Sequence, residues 1–354
     1  MAKDFRDFDF ATRNPLYAIS IPHSKVYPMT TMRAVHVTRL GGPEVLEATQ
    51  LPIPSPQPGQ VLVRVEAAGL NFADILYVRG EYLSRTKLPL VPGMEFVGTI
   101  EALGEGVEGF QPGQLVAALG GTGALAEYCA VSTRAIFPVS SNLTAQQAAA
   151  LPVSYFTAYF ALKTLGRAET GETVLVQAAG GALGTALVQL AKAMGLKVIA
   201  LASTEEKLGL ARSLGADITL LNTREDLLEA VKQASDGRGV DLLMEVVGGV
   251  GFAGSLKMLA YRGRLLNIGS ASREAATLNP VALMKGNQSV IGVWLTPFIG
   301  DVRAMAEASQ FIGPLIQSGA VKPVVGKVFG MEQIAEAFEY VMSRASSGKV
   351  IIEP

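Results

Sequence analysis

Thr173–Lys207 reads TVLVQAAGGALGTALVQLAKAMGLKVIALASTEEK, and this stretch decides the fold. Val174, Leu175 and Val176 form an apolar run that ends in the turn Ala179-Gly180-Gly181-Ala182-Leu183-Gly184. Leu187, Leu190, Ala191 and Met194 then recur at helical spacing, and Val198–Leu201 is a second apolar run. Strand, tight turn, helix and strand at this length make one βαβ unit. Glycine at such a turn lets the backbone approach a pyrophosphate, and the N–H groups at the helix start supply partners and a favourable dipole. Gly180, Gly181, Ala182, Leu183 and Gly184 are therefore the expected cofactor contacts, with Gly184 also permitting close helix–strand packing. The fingerprint is Ala179-x-Gly181-x-x-Gly184, alanine holding the first glycine position. Taken alone the match is weak, and a glycine-rich turn that only packs is the alternative.

Downstream, the alternation continues. Apolar runs follow at Ile218–Leu221, Asp241–Val246, Arg264–Ile268 and Ser289–Trp294. Helical patterns fill the gaps at Glu205–Ser213, Glu225–Ala234, Phe252–Leu259 and Val281–Lys285. Six strands with connecting helices complete a doubly wound parallel sheet, and in that context the glycine turn reads as a dinucleotide site.

Upstream, from Met32, the texture is β: Arg33–Val37, Val61–Val65, Phe96–Ile100 and Leu115–Leu119 alternate between Pro and Gly. Gln57–Gln60 and Gln111–Gln114 both read QPGQ, a Pro-Gly pair suited to the centre of a type II turn. Gly93, Gly98, Gly104 and Gly106 suggest strands that bend sharply, as in a small irregular barrel. Past Trp294 the alternation stops. A helix over Asp301–Ser318, a strand over Val324–Val328, a helix over Met331–Phe338 and a final run Lys349–Ile352 have no core of their own. This tail is expected to return to the N-terminal β lobe. The expected domains are residues 32–152 with 297–354, and residues 153–296 inserted between them. Residues 1–31 carry mixed charge, three prolines and no apolar core segment, so they read as a leader of undecided role rather than a secretory signal.

Composition narrows the chemistry. Thirty basic against 31 acidic residues, without a basic cluster, give no nucleic-acid footprint. Ala135–Leu162 lacks charge but contains Pro138 and Pro152, which suits a buried core better than a bilayer span. One cysteine rules out an internal disulfide framework and fits a reducing, cytoplasmic compartment. Cys129 itself reads as a small apolar strand residue. Two histidines and one cysteine leave little for a metal site, and no G-x-S-x-G elbow occurs.

An NAD-selective site needs a carboxylate about twenty residues past the glycines. Ala202 stands there, followed by Ser203 and, in the next helical turn, Lys207. A hydroxyl and a cation without the acid favour a 2′-phosphate, hence NADPH. Thr204-Glu205-Glu206-Lys207 is also a capped helix start, and both readings can hold together. Val247, Gly269 and Ser270 lie just past strand ends, where ligands of open α/β sheets bind, and are expected near the nicotinamide half.

Several separate stretches carry a resemblance: Ala67–Asp74 (AAGLNFAD), Pro92–Gly98 (PGMEFVG), Ala178–Gly184 and Ser347–Val350 (SGKV). From Met32 to Pro354 the chain resembles a zinc-free medium-chain dehydrogenase/reductase of the quinone oxidoreductase, zeta-crystallin-like branch. The resemblance implies a Rossmann sheet inserted into a GroES-like irregular β-barrel domain. Where zinc relatives carry Cys-Gly-x-Asp and Gly-His-Glu, this chain has Asn71-Phe72-Ala73-Asp74 and Gly93-Met94-Glu95. Lys207 matches a phosphate-binding lysine of the family, and Lys349 a position that can reach the cofactor. In relatives, the tyrosine of Asn71-x-x-Asp74-x5-Gly80-x-Tyr82 lies near the nicotinamide and, in the enoyl reductases, is assigned as proton donor. Tyr82 is thus the candidate acid and Asn71 a candidate orienting group, while Asp74 reads as holding its own loop through backbone N–H groups. Tyr82 as a loop anchor and Asn71 as a turn cap are the plainer alternatives. Tyr155, Phe156, Thr157, Trp294 and Phe298 are candidate pocket walls or core.

The expected activity is hydride transfer from NADPH to a quinone or an α,β-unsaturated carbonyl, without metal. A 2-enoyl thioester reductase and a non-catalytic NADPH-binding protein are the alternatives. The sixth strand offers an edge that two subunits can pair, and the family is commonly dimeric, so a homodimer is expected.

Overall fold

In a computed structural model, residues 31–354 are described. The leader expected over residues 1–31 lies outside them except for Thr31, as does His23.

The N-terminal β lobe begins with β1 (Thr31–His36) and β2 (Glu47–Pro52), an antiparallel pair. β3 (Gln60–Leu70), β4 (Glu95–Leu103), β5 (Leu115–Leu119), β6 (Tyr128–Ser132) and β7 (Ile136–Pro138) follow. Both QPGQ segments form the expected turns: Gly59 has φ +75° and Gly113 φ +86°, and Gln60 and Gln114 N–H reach back to Gln57 and Gln111 carbonyls. Gly98 lies against the Arg64 backbone, where no Cβ fits, and the β3–β4 register shifts at Leu62/Val63 and Val65/Ala67. These irregularities curl the sheet.

The second lobe contains β8 (Thr173–Val176), β9 (Lys197–Ala202), β10 (Ile218–Leu221), β11 (Val240–Glu245), β12 (Leu259–Asn267) and β13 (Ser289–Gly292). All pair in parallel in the order β10-β9-β8-β11-β12-β13, the doubly wound arrangement. The helix Glu205–Ser213 and strands β5 and β10 have the expected bounds. β12 differs, opening at Leu259 rather than Arg264. Arg262 at φ +61° and a register shift break the strand's early part, which hides its periodicity in sequence. β13 ends at Gly292, leaving Trp294 outside the sheet.

The tail supplies the helix Val302–Gln317, β14 (Val325–Gly330), the helix Ile334–Met342 and β15 (Lys349–Glu353). β15 pairs with β3 and β14, so the tail completes the sheet β14-β15-β3-β4-β5-β7, with β6 also on β3. One continuous apolar core runs from Val61 and Phe96 through Phe156 and Phe160 to Val174, Leu187 and Phe338. Tyr155 and Phe156 belong to this core, buried to 1% and 2% exposure, and not to a pocket wall. Among the described residues, no helix is long and apolar enough to cross a membrane.

Candidate active site

The glycine turn sits at the carboxyl end of β8, beside the point where strand order reverses between β8 and β11. Gly181 N–H bonds the Ala178 carbonyl at 2.9 Å, and Ala179 N–H bonds Leu201 O on β9 at 2.9 Å. The left-handed residue is Ala178, at φ +49°, ahead of the first fingerprint position. The helix Ala182–Ala193 starts immediately, with Gly181 at its N-cap, so the amides of Ala182, Leu183 and Gly184 are first-turn donors.

Each glycine here has its own reason. A Cβ on Gly184 would strike the Ala178 carbonyl and lie 2.6 Å from Ala179 Cα. A Cβ on Gly180 would meet the Lys207 stem at 2.7 Å. A Cβ on Gly181 would meet only Ala178 O, at 3.4 Å, and would otherwise fill open space over the helix end. That open cradle over first-turn amides has the room and the donors that an anion requires.

Ser203 is exposed at the end of β9, and Lys207 lies one helical turn on, packed over Gly180. Burial holds the Lys207 ammonium below its usual pKa, against the opposing pull of Glu206. Its Nζ donates to the Arg344 carbonyl at 2.6 Å, and Arg344 in turn donates to Ala271 O at 2.8 Å. The tail crosses directly over the turn: Gly348 N–H bonds Gly180 O at 2.8 Å. A cleft of about 210 Å³ between the lobes is lined by Phe72, Arg79, Arg273 and Arg344, among others. Of these guanidinium groups, Arg79 and Arg273 pair with Glu81, and Arg344 donates to Ala271 O, so the cleft is a cation-lined seam between the lobes. Nothing in the local sequence marked Arg344 for this place.

Past β11, the buried Glu245 organises the loop. Its carboxylate accepts from Val247 and Gly248 N–H, both at 2.9 Å, and from Ser255 at 2.6 Å. The Val247 carbonyl accepts from Ser272 N–H, so the Val247 main chain is occupied within the protein. Gly269 lies against Val246, and Ser270 against Gly248, which has φ +71°. The structure thus brings the expected Val247, Gly269 and Ser270 into one patch at the ends of β11 and β12.

A second cluster forms where β3, β4 and β15 meet. Asn71 follows β3, Glu95 opens β4, and Lys349 opens β15. Lys349, 1% exposed, forms an ion pair with Glu95 and donates to Asn71 Oδ1 at 2.6 Å. Asn71 Nδ2 donates to Glu95 at 2.8 Å and to Gly69 O at 3.3 Å. The other Glu95 oxygen accepts from Val153 N–H at 2.7 Å, in the first turn of the helix Pro152–Tyr159. Gly69 makes room: a Cβ there would lie 2.7 Å from Lys349 Cε. Asp74 accepts from Asn71 N–H at 2.8 Å, as its loop-holding reading requires, while its other oxygen is buried without a partner. Desolvation, only partly offset by the Asn71 N–H and Lys349, raises the Asp74 pKa to about 7. Asn71 is the N-cap of the helix Phe72–Val78, boxed with Asp74, and its side-chain amide also meets Lys349, Glu95 and Gly69.

Tyr82 lies in the loop after the helix Phe72–Val78, edge-on to Tyr77 and to Trp294. Its Oη accepts from the Trp294 indole N–H at 3.1 Å, a contact between the lobes. Neighbouring Glu81 pairs with Arg79 at 3.1 Å and across the lobes with Arg273 at 2.8 Å. Cys129 is buried and its thiol is pushed up to about 12 by desolvation, as a structural cysteine should be. Among the described residues, no three His, Cys, Asp or Glu side chains converge as a metal would need.

A β lobe carrying a polar loop, a doubly wound dinucleotide lobe and a cleft between them define a nucleotide-dependent, two-lobed oxidoreductase architecture. The family description "Alcohol dehydrogenase GroES-like domain" matches residues 57–141, and "Zinc-binding dehydrogenase" matches residues 182–311. A quinone oxidoreductase-like protein 2 homolog of Nematostella vectensis is 38% identical over 324 residues, 90% of this chain and 88% of that protein. The quinone oxidoreductase of Rattus norvegicus is 35% identical, covering 91% of this chain and 97% of its own. The quinone oxidoreductase from Thermus thermophilus, whose crystal structures include a complex with NADPH, is 44% identical with a TM-score of 0.81, over 91% of this chain and 100% of that one. This chain belongs to the quinone oxidoreductase branch of the medium-chain dehydrogenase/reductase family.

Proposed function

We propose that this chain is an NADPH-dependent reductase of quinones or α,β-unsaturated carbonyls that works without a metal, with Tyr82 as the proton donor. The observation that carries the reading is the placement of Tyr82. A phenol from the β lobe is held against Trp294, just past β13, at the carboxyl edge of the sheet where open α/β folds bind their ligands. NADPH supplies the hydride when bound. Gly181 and the amides of Ala182, Leu183 and Gly184 would hold its pyrophosphate; Ser203 and Lys207 would take its 2′-phosphate. Asn71, its amide set by Lys349 and Glu95, would orient the nicotinamide ribose or the substrate. As hydride adds to one end of a conjugated acceptor, the π pair moves onto the carbonyl oxygen, and the Tyr82 O–H bond breaks to place its proton on the reduced substrate. Solvent restores the phenol.

The metal-free reading is supported by the residues at the zinc positions of relatives. Asn71 and Met94 stand there, and the buried ammonium of Lys349 already serves Asn71 and Glu95. We also propose a homodimer formed through β13, the terminal strand of its sheet.

The test is NADPH consumption with a naphthoquinone, an alkenal, a cyclic enone and crotonyl-CoA, using the native protein and Tyr82→Phe. Turnover of a quinone or enone, lost in Tyr82→Phe with NADPH binding intact, is the expected result. Turnover of crotonyl-CoA alone would reassign the substrate to enoyl thioesters. No oxidation with any acceptor would leave a nucleotide-binding protein.

A further inference from the structure

We infer that Trp294 is a positioning residue for proton transfer at Tyr82, its indole N–H fixing the phenol as a donor. The inference rests on the proposed role of Tyr82. An indole N–H can only donate, so in the 3.1 Å contact Tyr82 Oη is the acceptor. The phenol's single proton is left over, and among the described residues no protein acceptor takes it. The hydroxyl is thus set with its proton available to a group outside the protein. The same N–H stabilises the oxygen as that proton leaves and negative charge develops.

Position as well as polarity depends on this contact. Tyr82 stands on a loop that opens with Gly80 at φ +72° and carries Leu83 at 73% exposure, so the loop has little core to anchor it. Within its own lobe, the ring has the edge contact to Tyr77, 5.9 Å between centroids. Among the described residues its other aromatic contact is Trp294, on the segment whose Val293 is buried and bonded to Asn267 O. Glu81–Arg273 ties the same loop to the same lobe. The acid is therefore in place only when the two lobes hold this arrangement.

Trp294 is the chain's one tryptophan, so its emission reports the pair without cofactor or substrate. In Tyr82→Phe, the cofactor-free protein should show a shifted emission maximum and an altered lifetime, because the indole N–H loses its acceptor. Trp294→Phe keeps an aromatic ring and removes the N–H. With quinone or enone, kcat should fall about tenfold, the scale of one hydrogen bond to a developing charge, with KM for NADPH little changed. The solvent deuterium isotope effect on kcat should rise. On whatever residual turnover Tyr82→Phe retains at high enzyme concentration, adding Trp294→Phe should change the rate by less than about twofold, since two residues acting through one oxygen are not additive. Emission unchanged by Tyr82→Phe, or independent kcat losses that multiply in the double variant, would overturn the assignment. Trp294→Phe at native activity while Tyr82→Phe is inactive would overturn the Trp294 role alone. Tyr82→Phe at native activity would instead remove the Tyr82 reading on which it rests.

Discussion

The Lys349 ammonium donates a 2.6 Å hydrogen bond to the side-chain carbonyl of Asn71, across 278 residues of sequence. It is also ion-paired with Glu95, so one buried cation from the last strand sets the amide that follows β3. Replacing it by Met strands the Glu95 charge in the core. A loss of about 3–5 kcal/mol is expected, the usual result of removing one partner of a buried pair. Urea unfolding measures it. Adding Glu95→Gln to Lys349→Met should recover part of the loss, because a neutral amide is less costly to bury than an unpaired carboxylate. Equal stability of the single and double variants would show that the pair does not set the cost.

Asp74 gives the same cluster a pH dependence. Its pKa is raised to about 7 by desolvation, with the Asn71 N–H and Lys349 pulling it down and Glu95 pushing it up. Between the ordinary value of 3.8 and about 7, the unfolded chain has released this proton while the folded one keeps it. Folding then takes up a proton, so this group's contribution to stability falls as pH rises through that window. Asp74→Asn cannot titrate, and its amide oxygen can still accept from Asn71 N–H. The difference in unfolding free energy between variant and native protein should move in the variant's favour from pH 4 to pH 8; a pH-independent difference would mean Asp74 ionises normally.

The parts of this structure that sequence declares are those made by neighbours in the chain. Glu205–Ser213 is framed by Thr204, whose hydroxyl accepts from Lys207 N–H, and the QPGQ turns need only their own four residues. The six-strand order follows once the alternation is seen. The polar sites are different. Tyr82 meets Trp294 across 212 residues, and Glu95, though part of a quoted motif, gained a role only when Lys349 arrived from the other end of the chain. Periodicity carries no record of such pairs. It also misplaced the start of β12, where Arg262 interrupts the strand.

The turn glycines should separate folding from binding. Gly181 is extended at φ −81°, so Ala is tolerated by the backbone, and its Cβ would point into open space. Gly181→Ala should therefore keep its melting temperature but weaken NADPH about 10- to 100-fold by filling the cradle. Gly184→Ala collides with the Ala178–Ala179 backbone and should lose about 3 kcal/mol or more of stability. Calorimetry and fluorescence titration of both variants test this. A Gly181→Ala protein that binds NADPH normally would move the pyrophosphate elsewhere.

Cofactor choice should follow the Lys207 head and not its stem. The stem packs over Gly180, and Nζ at present donates to the Arg344 carbonyl. Lys207→Met keeps the packing and removes the charge. Loss of one charge-assisted hydrogen bond, about 1.5–3 kcal/mol, should raise KM for NADPH roughly 10- to 100-fold. NADH has no 2′-phosphate to lose, so its KM should change little, and selectivity should fall by the same factor. Raising the salt concentration should weaken NADPH binding more in the native protein than in Lys207→Met, since screening acts on the charge that the variant lacks. Equal losses for NADPH and NADH would mean that Lys207 holds the turn through Gly180 and Arg344 without reading the phosphate.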